Sequence, residues 1–172
     1  MAIVAVLMSI AIPSYRYVTN SNRIAAEVNG LLGDMQYARA EAIKEGQTVT
    51  VCVLNNIVTT TCAAVGTSTW QNGWIVFSDV NNDHTVDAGD AVLRVQAPFT
   101  GSDTFVANSN ISAITFNREG FASANGNGLA NGLALLTLHA QTPNAASTRC
   151  LSVNMIGLLA VQTTTTPGGT CL

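Results

Sequence analysis

Residues 24–54, IAAEVNGLLGDMQYARAEAIKEGQTVTVCVL, contain the change of period that sets the fold. Up to Gly46, the apolar residues Ile24, Val28, Leu31, Leu32, Met35, Ala38 and Ala42 recur three or four apart, which makes one stripe of an amphipathic helix. Arg23 and Glu27 form an i,i+4 pair expected on the opposite side, and Glu41 can reach Lys44 or Glu45. Gly30 and Gly33 each weaken such a helix by roughly 1 kcal/mol relative to alanine, and Gly46 stops it. Beyond Gly46 the period becomes two: residues 48–54, TVTVCVL, read as a strand.

Upstream, the chain opens MAIVAVLMSIAIPSY, with Ser9 the one polar residue before Pro13. Twelve helical residues rise roughly 18 Å, short of a hydrocarbon core of roughly 30 Å, so this run cannot span a membrane alone. No basic segment precedes it and no small-residue cleavage site follows it, so it does not read as a secretory signal. The helical pattern resumes after Pro13, so the proline is expected to kink the helix rather than end it.

Downstream, strands are expected at residues 73–78, 91–96, 111–117, 133–140, 149–154 and 158–163. Turn formers separate them at Asn55-Asn56, Gln71-Asn72-Gly73, Arg118-Glu119-Gly120 and 123–128. The expected fold is α+β: a long N-terminal helix over residues 1–46, whose first twelve residues form part of a membrane segment, packed on a head over 47–172 made of two antiparallel sheets.

Charged residues make up 10% of the 172-residue chain and the formal net charge is −3, against a usual charged share of about 25%. So few cations exclude a broad electrostatic footprint for nucleic acid. The four cysteines, Cys52, Cys62, Cys150 and Cys171, fit two disulfides formed outside the cytoplasm. Three pairings are open; nearest-neighbour pairing, Cys52–Cys62 and Cys150–Cys171, closes two short loops and is the expectation. No C-x-x-C pair points to zinc.

Enzyme readings fail on inventory. His84 and His139 are the two histidines, and His139 sits in an apolar strand, LALLTLHAQ, where a hydrogen-bonded structural role is expected. No nucleophile elbow, phosphate loop or zinc-protease motif is present. Trp70 and Trp74 flank a turn, as core or interface-edge residues do. The threonine run 163–166 before Pro167 reads as an exposed loop. One stretch has metal-ligand spacing: Asp79, Asn81, Asp83, Asp87 and Asp90 fall at loop positions 1, 3, 5, 9 and 12 of a calcium-binding loop. His84 stands where that loop needs glycine, Asp90 is shorter than the usual glutamate, and the flanks read as strands. A solvated hairpin tip rich in turn formers is therefore expected, with calcium the alternative and no other cofactor.

Three stretches together resemble the GspH/FimT family of type IV minor pilins and type II secretion pseudopilins. They are residues 2–46 as the pilin helix and its family-specific extension, WQNGWIVFSDVNNDHTVDAGDAVLRV (70–95) as the central hairpin, and RCLSVNMIGLLAVQ (149–162) with Cys171 as the closing strands. The resemblance implies a structural, non-enzymatic subunit of a Gram-negative bacterium, anchored by one pass in the inner membrane with its head in the periplasm. It implies maturation by prepilin peptidase with N-terminal methylation. Its partners would be major and minor pilins, or pseudopilins, reached through the N-terminal helix and the head. The expected helix-packing residues are Ile3, Val6, Ile10, Pro13, Ile24, Val28, Leu31, Leu32 and Met35, with the amphipathic half of the helix packed on the head.

Aligned on Ile12-Pro13, the chain is expected to lack the leader, the processing site and roughly nine mature residues. Restoring them would lengthen the apolar run to about 21 residues, enough to span. The family role implied is to initiate or cap fibre assembly at the tip of a pilus, or to fill the equivalent place in a secretion pseudopilus. DNA-binding members carry Gly-Arg-x-Arg near the C-terminus, where this chain has Gly157-Leu158-Leu159-Ala160. Phosphate contacts need cations, so DNA capture is disfavoured. It would require Arg94, Arg118 and Arg149 to converge on folding.

Overall fold

The computed structural model describes residues 2–140, 148–163 and 171, with helix side chains described at Tyr15 and from Val18 onward. A single helix, α1, runs Ala2–Glu45 and passes through Pro13 without ending. Among the described residues no helix is long and apolar enough to cross a membrane. Gly46 closes α1: its φ of 70° is one that glycine adopts without steric cost, and its N–H donates to the Ala42 carbonyl at 3.0 Å.

The strands are β1 (Val49–Asn56), β2 (Thr61–Cys62), β3 (Trp74–Ser78), β4 (Val92–Gln96), β5 (Thr104–Ala107), β6 (Ala113–Phe116), β7 (Ala122–Ala124), β8 (Leu133–His139), β9 (Thr148–Asn154) and β10 (Leu159–Thr163). Among the described residues they form two antiparallel sheets, one ordered β4-β3-β1-β6-β7 with β2 on the end of β1, the other β10-β9-β8-β5. The expected strands all form. β2, β5 and β7 were not expected; each has four residues or fewer, too short to show a period.

Alternation in β1 decides the packing. Val49, Val51 and Val53 face the main core, which they share with Trp74, Val76, Ile114 and Phe116 of the first sheet and Leu136, Leu138, Leu151 and Val153 of the second. Into that core α1 inserts Ile24, Val28, Leu31, Met35, Ala38 and Ala42, spaced alternately four and three apart and each no more than 1% exposed. The opposite face of β1 places Cys52 and Leu54 with Ile75, Phe77 and Ala113, covered by Cys62 and by Val86 from the 79–90 loop. Both sheet faces are therefore closed, one by the helix and one by loops.

The disulfides are Cys52–Cys62 and Cys150–Cys171, the nearest-neighbour pairing. The first ties the β1–β2 hairpin down over the back of the sheet. The second ties residue 171 to β9.

Burial of a full leucine side chain contributes roughly 1.5–3 kcal/mol, and truncation adds a cavity term. Leu31→Ala is expected to lower unfolding stability by about 2–5 kcal/mol, whereas Asn29→Ala, on the exposed side of the same helix, changes it by no more than about 0.5 kcal/mol. Urea titration of the two variants measures the contrast.

Candidate functional site

The helix divides into a face that is used and a face that is free. Ile24, Val28, Leu31 and Met35 lie inside the chain's own head, and Leu32 is half-buried against the same core. These residues weld α1 to the sheets and are closed to another molecule. The side chains of Ile3, Val6, Ile10 and Pro13 lie outside the described residues. The opposite face exposes Asn22, Ala26, Asn29, Gly33, Gln36 and Ala40, again four and three apart. A Cβ placed on Gly33 would meet nothing. With side chains this small, another helix can approach closely along this face.

Three helix side chains, Arg23, Asp34 and Arg39, tie the shoulders of the helix to the head. The Arg23 guanidinium donates through Nε and Nη2 to both oxygens of Asp103, at 2.7 and 2.8 Å, and the Asp103 side chain is fully buried. The expected Arg23–Glu27 pair is present as a long contact, with Nε 4.0 Å from Glu27 Oε1, while the guanidinium is aligned on Asp103. Asp34 accepts from the Trp74 indole N–H and from Arg94, both at 2.8 Å, and the Arg94 guanidinium lies 3.9 Å above the Tyr37 ring. Arg39 donates to the carbonyls of Gly120 and Ile156 and thereby joins two turns to the helix. Gly157 is needed there, because a Cβ at that position would sit 2.1 Å from the Gly120 carbonyl oxygen.

Glu27 is left with a buried Oε2 that no donor among the described residues reaches. Burial, and then the Asp103 charge, push its carboxyl up to about 7 against the opposing pull of Arg23. Sequence pattern could not show this, since Glu27 obeys the i,i+4 rule and the competing partner is 80 residues from Arg23.

The acidic loop between β3 and β4 folds inward at its first residue. Asp79 is fully buried. Its Oδ2 accepts from Thr50 Oγ1 at 2.8 Å and from the His84 N–H at 3.1 Å, and its Oδ1 accepts from the Asp83 N–H at 3.0 Å. Thr50 and Thr115 hydroxyls stand 2.7 Å apart, and the Thr115 hydroxyl is 3.1 Å from His84 Nδ1. These hydroxyls lie on the back of the sheet, so the network docks the loop there.

The other four residues lie nearer the surface and bond to one another. Asn81 Nδ2 donates to Asp83 Oδ2 and Asp87 Oδ2, while Asp90 accepts from the Val80 and Asp87 N–H groups. Donation from Thr85 holds the Asp83 carboxyl below its ordinary range. Desolvation first, then the Asp90 and Asp83 charges, raises that of Asp87. Among the described residues no group of three or more His, Cys, Asp or Glu is placed to hold a metal ion.

The remaining candidates are structural. His139 Nδ1 is 3.2 Å from the Thr148 hydroxyl, and burial lowers its pKa. Trp70 and Trp74 are both core residues, and the Trp70 indole donates to the Ile111 carbonyl. Arg94 lies on edge strand β4, Arg118 in the β6–β7 turn beside Glu119, and Arg149 on β9 of the other sheet. With β3 and β1 between β4 and β6, the first two are separated by about 14 Å of sheet, so the three do not form one basic patch. Residues 164–166 of the threonine run lie outside the described residues.

A sequence model of the family described as Type II transport protein GspH matches residues 27–157. Among curated proteins, none matches significantly. The fold is similar to two crystal forms of the type IV minor pilin FimU of Pseudomonas aeruginosa strain PAO1. One has a TM-score of 0.64 at 16% identity, covering 88% of this chain and 96% of that one. The other has a TM-score of 0.59 at 18% identity, covering 88% and 99%.

Two outcomes follow from the buried carboxylates. The folded-state pKa of Glu27 lies above its ordinary value, so its contribution to stability is fully present below about pH 4.5 and is lost as pH rises towards 7. Glu27→Gln is therefore expected to match the parent near pH 4.5 and to exceed it by about 2 kcal/mol at pH 8, read from denaturant unfolding at the two pH values. Asp79→Ala removes an acceptor from the buried Thr50 hydroxyl and from the Asp83 and His84 N–H groups, of which the His84 N–H has no other acceptor among the described residues, and is expected to cost about 2 kcal/mol. Its melting temperature should be equally depressed with millimolar calcium or with chelator.

Proposed function

The chain belongs to the GspH family, and from that premise we propose that it is a minor pilin: a structural subunit that helps initiate or cap a type IV pilus at its tip. The observation that carries this reading is the division of α1. One stripe is sealed into the head, so helix and head move as one body, while the opposite stripe of small and polar residues is free over the same turns. A fibre subunit needs such an exposed face, because its helix must exchange lipid for the helices of neighbours. The similarity of fold to the minor pilin FimU supports the same reading.

In this account the apolar run at residues 2–12 belongs to the segment held in the inner membrane before assembly, with the head in the periplasm. The two disulfides suit that oxidising compartment. The partners are other major and minor pilins. The GspH description of the family favours one second reading, a pseudopilin of a type II secretion system, which would use the same surfaces on different neighbours. DNA capture is disfavoured, because the dispersed Arg94, Arg118 and Arg149 give a phosphate backbone no track.

Deleting the gene and shearing surface fibres from parent and deletion cells tests the proposal. The minor-pilin reading expects the chain at low abundance in sheared fibres by mass spectrometry, and a loss of fibres on deletion. Normal fibres with lost protein secretion would establish the pseudopilin instead. A soluble chain absent from both assemblies would end both readings. The head is also expected to give no DNA mobility shift at low salt.

A further inference from the structure

Residues 97–103 join β4 of the first sheet to β5 of the second and pass α1 as a strap. The strap is tacked down at two places. Near its start the Phe99 N–H donates to the Gln71 carbonyl at 2.9 Å. The Phe99 ring meets Trp74 edge to face and stacks on Phe105, with centroids 6.0 and 6.3 Å apart. At its end Asp103 takes the Arg23 fork. Between the two, Thr100, Gly101 and Ser102 are exposed. A Cβ on Gly101 would stand 3.6 Å from the Arg23 guanidinium carbon and 3.6 Å from Asp103 Oδ2, so the strap lies against the ion pair itself.

Glu27 is next to this strap. An open cleft of about 300 Å³ has Ala26, Glu27 and Gly30 on its helix side and Pro98, Phe99 and Thr100 on its strap side. The Glu27 Oε2 is nevertheless buried and meets no donor among the described residues. Arg23 is the cation beside it, with Nε 4.0 Å from Oε1, but the guanidinium is aligned on Asp103. Asp103 repels a second carboxylate. Arg94 of β4 is bonded to Asp34, further along α1. β3 presents the uncharged Trp74, and residues 97–102 carry no titratable side chain. One guanidinium therefore stands between two carboxylates. Both Asp103 oxygens are bonded to it, which leaves Glu27 as the carboxyl that keeps a proton.

We propose that residues 97–103 form a proton-controlled latch: the strap lies closed on α1 while Glu27 is neutral, and it lifts when Glu27 ionises, admitting water to the carboxylate. An ionised carboxylate with a buried oxygen and no donor is costly, and hydration relieves the cost. The strap is the element that yields. It is exposed, it contains no helix or strand, and it already walls a cleft at Glu27, whereas α1 and Trp74 are fixed in the core.

Linkage fixes the direction. The closed strap holds the Glu27 proton up to about pH 7, and the open one releases it near the ordinary 4.5. Closure is therefore fully favoured below about pH 4.5, weakens as pH rises to about 7, and changes no further above that. Ala26 of the free stripe lines the same cleft, so opening alters the surface beside that stripe. The latch does not depend on the chain's entering a fibre.

Amide hydrogen exchange on the parent protein tests it. The reporters are the Phe99 N–H in the strap and the Val53 N–H, which donates to the Ser112 carbonyl at 2.8 Å in the core. After division by the intrinsic rate, Phe99 protection is expected to fall about 70-fold from pH 5 to pH 8, the ratio for a carboxyl titrating near 7 closed and near 4.5 open. At pH 8, low urea should leave Phe99 exchange unchanged and accelerate that of Val53, because a local opening exposes little surface. In Glu27→Gln, Phe99 protection should be equal at the two pH values. A pH-independent Phe99 amide in the parent, or the parent's pH dependence retained in Glu27→Gln, would overturn the latch. So would a urea slope at Phe99 equal to that at Val53, since the strap would then open only with the whole head. If Glu27→Gln does not fold, the pH and urea dependence of the parent decide alone.

Discussion

Everything else in the molecule depends on the sealing of one helix stripe into the space between two sheets. Six residues of α1, from Ile24 to Ala42, are lost to solvent against β1, β3, β6 and the second sheet. Isolated helices are marginal in water, and tertiary burial of one face supplies most of their stability. Here that burial also removes any freedom of the head to swing about the helix. The glycines at 30 and 33, which weaken an isolated helix, are tolerated because this packing holds the segment over that stretch. They leave the outer side of the helix low and open.

Charge is scarce in this chain, and where it is buried it is used for alignment. Arg23 with Asp103, Asp34 with Arg94 and Trp74, and Arg39 with two carbonyls fix the helix to the head at three heights. Asp79 does the same for the long β3–β4 loop by taking hydroxyl and backbone donors on the back of the sheet. Glu27 departs from this pattern: its second oxygen is buried and meets no donor among the described residues. Burial without a donor there disfavours the charged form and raises the carboxyl towards neutrality.

Much of the fold was legible in the sequence because burial leaves a period. The stripe from Ile24 to Ala42 and the alternation in TVTVCVL predict the helix, the first strand and the boundary at Gly46, and short loops predict the disulfide pairing. The strands β2, β5 and β7 carry two to four residues each and show no period of their own. The site was less legible for a different reason. Arg23 obeys a local spacing rule with Glu27, yet a bidentate carboxylate 80 residues away takes its guanidinium. Asp79 sits in a sequence pattern with metal-ligand spacing, and its burial among Thr50, Thr115 and His84 becomes visible only when β1 and β6 are paired. Likewise the acidic spacing, which suggests a cation, is equally the spacing of a loop closed by Asx-type hydrogen bonds.

Site-specific photo-crosslinking in living cells separates the sealed face of α1 from the free one. A photoreactive residue placed at Gln36, on the free face, is predicted to form adducts with other pilin-type subunits. The same residue at Val58, exposed on the β1–β2 hairpin, is predicted to form few. Adducts from Val58 and none from Gln36 would show that the helix face is not the assembly surface and would contradict the account.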